Sequence, residues 1–162
     1  MSYPEARYLA DTGEVSASFR PAATPADLTG ARATTHYLAT GAVTGGDYGL
    51  FRWDMSEQVS GPDPHFHKTI SESFFILFGV VRLYDGNRWV EATTGDFLYV
   101  PPGGIHAFRN ESGSPASMLL LFAPGAPREK YFEALAERAA TGQQLTEDER
   151  VDFLRQHDQY MV

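Results

Sequence analysis

Residues 61–79 read Gly61-Pro62-Asp63-Pro64-His65-Phe66-His67-Lys68-Thr69-Ile70-Ser71-Glu72-Ser73-Phe74-Phe75-Ile76-Leu77-Phe78-Gly79. Side chains of a β-strand alternate between its two faces, so His65 and His67 fall together and Phe66 opposes them. Two imidazole donors thereby converge without any loop contortion. Glu72 follows and leads into the apolar run Phe74–Phe78, which Gly79 closes. A second stretch runs from Gly95 to Asn110, where His106 arrives behind the turn Pro101-Pro102-Gly103-Gly104 at the start of another short strand. Gly95 and Gly103 relieve backbone crowding, and Pro101 stiffens the approach so that His106 is delivered at a reproducible angle. Asn110 reads as a turn or backbone hydrogen-bonding residue. Imidazole nitrogen combined with carboxylate oxygen suits Zn, Fe, Mn, Co, Ni or Cu.

Around these stretches the chain divides by composition into three zones. Residues 1–33, with Pro4, Pro21 and Pro25 and no sustained period, read as an N-terminal arm packed on the domain or on a second copy of it. Residues 34–123 alternate short β-branched or aromatic segments with Gly, Pro, Asn and Asp, the pattern of a compact all-β body. Expected strands are Thr35–Thr40, Tyr48–Asp54, His65–His67, Ser73–Phe78, Val80–Tyr84, Arg88–Glu91, Phe97–Val100, His106–Asn110 and Ala116–Phe122. Asp85-Gly86-Asn87 marks the clearest hairpin. In residues 124–162 the period changes: Tyr131, Phe132, Leu135, Ala136 and Ala139 recur at helical spacing between Pro127 and Gly142. Thr146 and Glu149 fit a capping box that opens a second helix carrying Val151 and Leu154.

Composition narrows the function classes. With 162 residues the chain has room for one domain, and 43% hydrophobic residues suffice for a core. Its 21 acidic residues against 13 Lys and Arg give a net charge of −8, which argues against a nucleic-acid surface. The absence of cysteine excludes disulfides, thiolate nucleophiles and Cys-ligated metal sites. No apolar run is long enough to span a membrane, and the first residues lack the basic and apolar regions of a signal peptide, so a soluble cytoplasmic protein is expected.

The two stretches resemble the two motifs of the cupin superfamily. His65-x-His67, four residues, Glu72, six residues and Gly79 are similar to the first. Gly95, five residues, Pro101, one residue, Gly103, two residues, His106, three residues and Asn110 are similar to the second. The 15 residues between Gly79 and Gly95 correspond to the compact spacing of small single-barrel cupins. One departure is that the glycine expected well before His65 is represented only by the nearer Gly61. The resemblance implies a small antiparallel jelly-roll β-barrel, here followed by a short pair of α-helices. It also implies one divalent transition metal per chain, held by His65, His67, Glu72 and His106, and a homodimer.

Three imidazoles, one carboxylate and a divalent ion leave a net charge near +1, which favours an anionic enolate or phenolate. The stretch from Gly61 to Phe75 is similar to quercetin dioxygenase-type cupins, in which the metal orients a substrate enolate and the glutamate takes its proton. That resemblance implies a dioxygenase acting on a small aromatic, flavonol-like or polyketide-like enol, with Glu72 as ligand and catalytic base. Two alternatives are a non-oxidative Lewis-acid cyclase or isomerase, and a non-catalytic cupin that binds a small ligand. His36 and His157 lack a matching framework and read as structural or exposed. Strand parity aims Phe74, Ile76, Phe78 and Phe108 at the interior, unless a bulge intervenes. Arg52 is the polar candidate for orienting an anionic substrate; its competing reading is an exterior salt-bridging arginine. Glu147-Asp148-Glu149 reads as an acidic helix start favoured by the macrodipole.

Overall fold

The computed structural model describes residues 2–162. Residues 2–27 contain no helix or strand. Eleven strands and two helices follow: β1 (Leu28–Thr29), β2 (Ala33–Ala39), β3 (Gly49–Met55), β4 (His65–Phe66), β5 (Ser71–Phe78), β6 (Val81–Tyr84), β7 (Trp89–Ala92), β8 (Phe97–Val100), β9 (Ala107–Arg109), β10 (Ala116–Ala123), α1 (Arg128–Thr141), α2 (Glu147–Gln156) and β11 (Tyr160–Met161). The mostly-strand architecture with two short C-terminal helices is the expected one. β1 and β11, two residues each, are too short to show a period in the sequence.

Six strands form one antiparallel sheet in the order β1-β2-β3-β10-β5-β8. The second layer holds β7-β6-β9, and bridges Ser60↔Asn110 and His65↔His106 carry its pairing on to the segment that contains β4, which pairs with β11. The core lies between the layers. Phe51, Phe74, Ile76, Met118, Leu120 and Phe122 come from the large sheet, and Val81, Leu83 and Phe108 from the other. Alternation is cleanest in β10, where Ala116, Met118, Leu120 and Phe122 are buried and the residues between them are not. Burying side chains of this size stabilises by about 1.5–3 kcal/mol each before entropy is counted.

Parity holds for Phe74, Ile76 and Phe108 but fails for Phe78, which is 59% exposed. The cause is a bulge: Ser117 pairs with Phe78 and Met118 with Ile76, so Leu77 is the extra residue and the side chain after it turns outward.

Both helices form where expected. Pro127 precedes α1, and Gly142 ends it in the left-handed conformation at φ 66°. At the start of α2 the Thr146 side chain accepts from the Glu149 N–H, and the Glu149 carboxylate accepts from the Thr146 N–H, completing the capping box. Tyr131 and Phe132 of α1 and Phe153 and Leu154 of α2 turn inward and join the core. β11 then returns the chain to β4, pairing Tyr160 with Phe66 and Met161 with His65. The C-terminal segment thus reaches the strand that carries the first imidazole.

Candidate metal centre

His65, His67, Glu72 and His106 meet on the inner side of the strands. Each offers one ligand atom, these atoms lie within 4.8 Å of one another, and all four residues are buried. β4 and the turn after it supply His65 and His67, β5 supplies Glu72, and the residue preceding β9 supplies His106. The antiparallel bridge between His65 and His106, with N–O distances of 3.0 and 2.9 Å, locks the two stretches side by side. Gly103, at φ 81°, donates its N–H to the His67 carbonyl at 2.7 Å and ties the turn before His106 to the end of the His-x-His segment.

The imidazoles are oriented from behind by backbone carbonyls. The Nδ1 of His65 donates to the Asp63 carbonyl at 2.8 Å, that of His67 to the Asp158 carbonyl at 2.6 Å, and that of His106 to the Gly104 carbonyl at 3.0 Å. A carbonyl oxygen only accepts, so each Nδ1 carries the proton and each Nε2 is the atom directed inward. Nε2 of His67 and of His106 face the same Glu72 oxygen, Oε2, at 3.1 and 2.9 Å. Backbone acceptors behind metal-binding imidazoles fix tautomer and ring angle, and this donor set fits a first-row divalent ion.

Electrostatics agree with a charge-neutralising cluster. Burial, with the neighbouring His106, lowers the His65 pKa to about 4, leaving a neutral ring with an available lone pair. Burial alone raises the Glu72 pKa, but the adjoining His106 and His67 rings outweigh it and hold the carboxyl well below its usual range. Burial lowers the pKa of His106 while its bond to Glu72 raises it further, the net being upward.

The site opens into a cavity of about 460 Å³ whose walls include His65, Glu72, Trp53, Phe108, Phe122 and Phe132. Its size is within the range of small-molecule pockets. α1 and α2 cover it, contributing Arg128, Tyr131, Leu135, Phe153 and Leu154.

Residues outside the cluster sort as follows. Arg52 lies on the outer face of β3, bonded to Asp54 at 3.0 Å and to the His36 ring at 2.7 Å, so its salt-bridging alternative holds and it does not line the cavity. His36 is structural in the same cluster, and His157 caps α2 and packs on Tyr131 and Phe153. Asn110 is fully buried and satisfied, donating to the Ser56 and Ser114 carbonyls. Asp158 and Arg128 escaped the sequence reading. Asp158 is 91 residues from the ring it orients and left no local signal. Arg128 left one, since a cation in the first turn of a helix opposes the macrodipole.

Comparison with known proteins agrees with this geometry. Residues 51–122 match the family model described as the cupin domain. Quercetin 2,3-dioxygenase of Bacillus subtilis (strain 168) is 29% identical over 73 residues, 45% of this chain and 21% of the relative. The chain therefore spans about a fifth of that relative's length. Among solved structures, KdgF from Halomonas sp. superposes with a TM-score of 0.60 at 13% identity, covering 71% of this chain and 99% of the other. The polyketide cyclase RemF from Streptomyces resistomycificus gives a TM-score of 0.51 at 21% identity, covering 57% and 66%. With both motifs, the two facing layers and the clustered imidazoles and carboxylate in place, residues 51–122 match the cupin domain and the chain carries the cupin fold.

Proposed function

We propose that the protein is a metal-dependent cupin dioxygenase acting on a small aromatic, flavonol-like or polyketide-like enol. The observation that carries this reading is the set of three imidazoles, each held by its Nδ1 on a backbone carbonyl, with Glu72 among the Nε2 atoms and an aromatic cavity directly beside them. His65, His67, Glu72 and His106 are the ligands. A bound divalent ion supplies Lewis acidity toward an enolate oxygen and, for the redox-active metals, an electron route to dioxygen. Glu72, buried and ionised, is placed to accept the enol proton. Trp53, Phe108, Phe122 and Phe132 present flat apolar surface to the substrate, and residues of both helices line the same cavity. The resemblance to quercetin 2,3-dioxygenase supports consumption of oxygen.

The test is elemental analysis of protein purified without added metal, joined to oxygen-electrode assays against flavonols and other enolic aromatics. The expected result is one transition metal per chain and turnover that stops without oxygen. Equal aerobic and anaerobic turnover overturns the oxygenase reading and leaves a non-oxidative cyclase or isomerase, which the fold shared with a polyketide cyclase supports. The assembly we propose is a homodimer closed over the outer face of β5 and β8, where Phe75, Phe78, Phe97 and Tyr99 are exposed. A monomer in sedimentation velocity would reject it.

A further inference from the structure

The cavity holds a second polar feature that metal ligation does not use. Arg128, the first residue of α1, is 5% exposed. Its guanidinium packs on three rings, with Cζ 4.4 Å from the centre of Tyr131, 5.0 Å from Phe122 and 5.6 Å from Phe132. Nη1 donates to the His157 carbonyl at 2.7 Å, whereas Nε is buried with no hydrogen-bond partner. Among the described residues no carboxylate forms an ion pair with it; Glu72 and Asp158 act on it only through space.

This placement is unfavourable twice over. The N-terminal end of a helix carries partial positive charge, and a guanidinium taken out of water without an ionic partner forfeits hydration that one carbonyl and three ring faces replace only in part. Packing alone does not account for it, because an apolar side chain would fill the space among three rings at lower cost. The surroundings point the same way. In a chain of net charge −8, the cavity is lined by four arginines, Arg32, Arg128, Arg138 and Arg150, against two carboxylates, Asp63 and Glu72. Nη1 of Arg138 is likewise buried without a partner. The Phe122 ring neighbours both Arg128 and the metal centre, its centre lying 5.0 Å from the guanidinium carbon and 6.4 Å from the centre of the His67 ring.

We propose that Arg128 is the anion-recognition residue of this cavity, and that the substrate carries a carboxylate about one aromatic ring away from the oxygen that meets the metal centre. The second half rests on the function proposed above, whereas the contact between Arg128 and a carboxylate does not. The free Nε edge of a guanidinium is a planar donor matched to carboxylate geometry, and the ring-lined, water-poor setting strengthens the pairing.

Benzoate and benzamide share a shape and differ in charge, so their binding by isothermal titration calorimetry isolates the anion contact. Both are measured on zinc-loaded and on chelator-treated protein. The expected result is a preference for benzoate of about tenfold or more in either form, falling to about one in R128Q while benzamide affinity changes by less than about twofold. R52Q, altered on the outer face, keeps the full preference. R128K, which retains charge without the fork, loses at least about threefold of it and serves if R128Q does not fold. No preference in the wild type, a preference unchanged in R128Q or R128K, or an equal loss of both ligands in R128Q each overturns the proposal. Metal content, measured separately, tests the metal reading: a chain that takes up no transition metal and still discriminates benzoate loses the proposed function and keeps the contact between Arg128 and a carboxylate.

Discussion

Between pH 7 and pH 4, acid should weaken the metal-free protein chiefly through His65. Burial and the adjacent His106 lower its pKa from 6.5 to about 4, so the unfolded chain takes up this proton first as pH falls. The His65 contribution is therefore intact above pH 6.5 and is lost progressively as pH falls toward 4. For this one buried group the loss is about 2 kcal/mol at pH 5 and about 3 kcal/mol at pH 4. In a chain of this size the loss at pH 5 corresponds to a drop in melting temperature of roughly 4–8 °C. His106 acts with the opposite sign, its raised pKa giving stability that is full below 6.5 and lost as pH rises through the higher folded value. Comparing wild type with His65→Gln removes that background, and glutamine can still donate to the Asp63 carbonyl. The assay is urea unfolding of chelator-treated protein near pH 7 and pH 5, followed by tryptophan fluorescence. The difference in stability between the two pH values should shrink in H65Q by about 2 kcal/mol. Parallel pH profiles for the two proteins would refute the reasoning. Zinc should suppress the effect in the wild type, because coordination holds the imidazole deprotonated until acid releases the metal.

The remaining expectations are local. With Leu77 as the bulged residue, Ile76→Ala should cost about 2–5 kcal/mol in denaturant unfolding of dissociated monomer whereas Phe78→Ala stays within about 0.5 kcal/mol; equal losses would place the bulge elsewhere. Thr146→Ala removes the cap of α2 and should cost about 1 kcal/mol, read in the same experiment, with Thr146→Ser nearly neutral. Gly61→Ala should reduce both stability and zinc affinity, since Gly61 sits at φ 134° and a Cβ there would lie 1.9 Å from the Phe108 carbonyl oxygen, forcing apart the strands that carry His65 and His106. A G61A protein with wild-type melting and zinc uptake would show that the backbone yields without moving the site. Glu72→Ala should lower metal content to a small fraction of one ion per chain by elemental analysis. Retention of a full equivalent would remove Glu72 from the ligand set.

What could be read from residue order alone is what obeys a short period or a fixed spacing. His65, His67, Glu72 and His106 were legible because alternation, two glycine-bearing turns and a run of apolar residues define both motifs within a few positions of each ligand. The helices were legible for the same reason: Pro127, Gly142 and the Thr146–Glu149 pair are local signals with local causes. Tertiary structure decided the rest. Phe78 faces out because of a one-residue mismatch between β5 and β10, whose paired residues are 39 or more positions apart, and neither strand records it by itself. The Asp158 carbonyl orients His67 only because β11 folds back on β4, a pairing of two residues with no pattern of their own. Arg52 and Arg128 are chemically identical, and a strand face sends one to an outer ion-pair cluster while a helix start buries the other among aromatic rings. Which arginine can meet an anion depends on desolvation, and desolvation is a property of the packed chain.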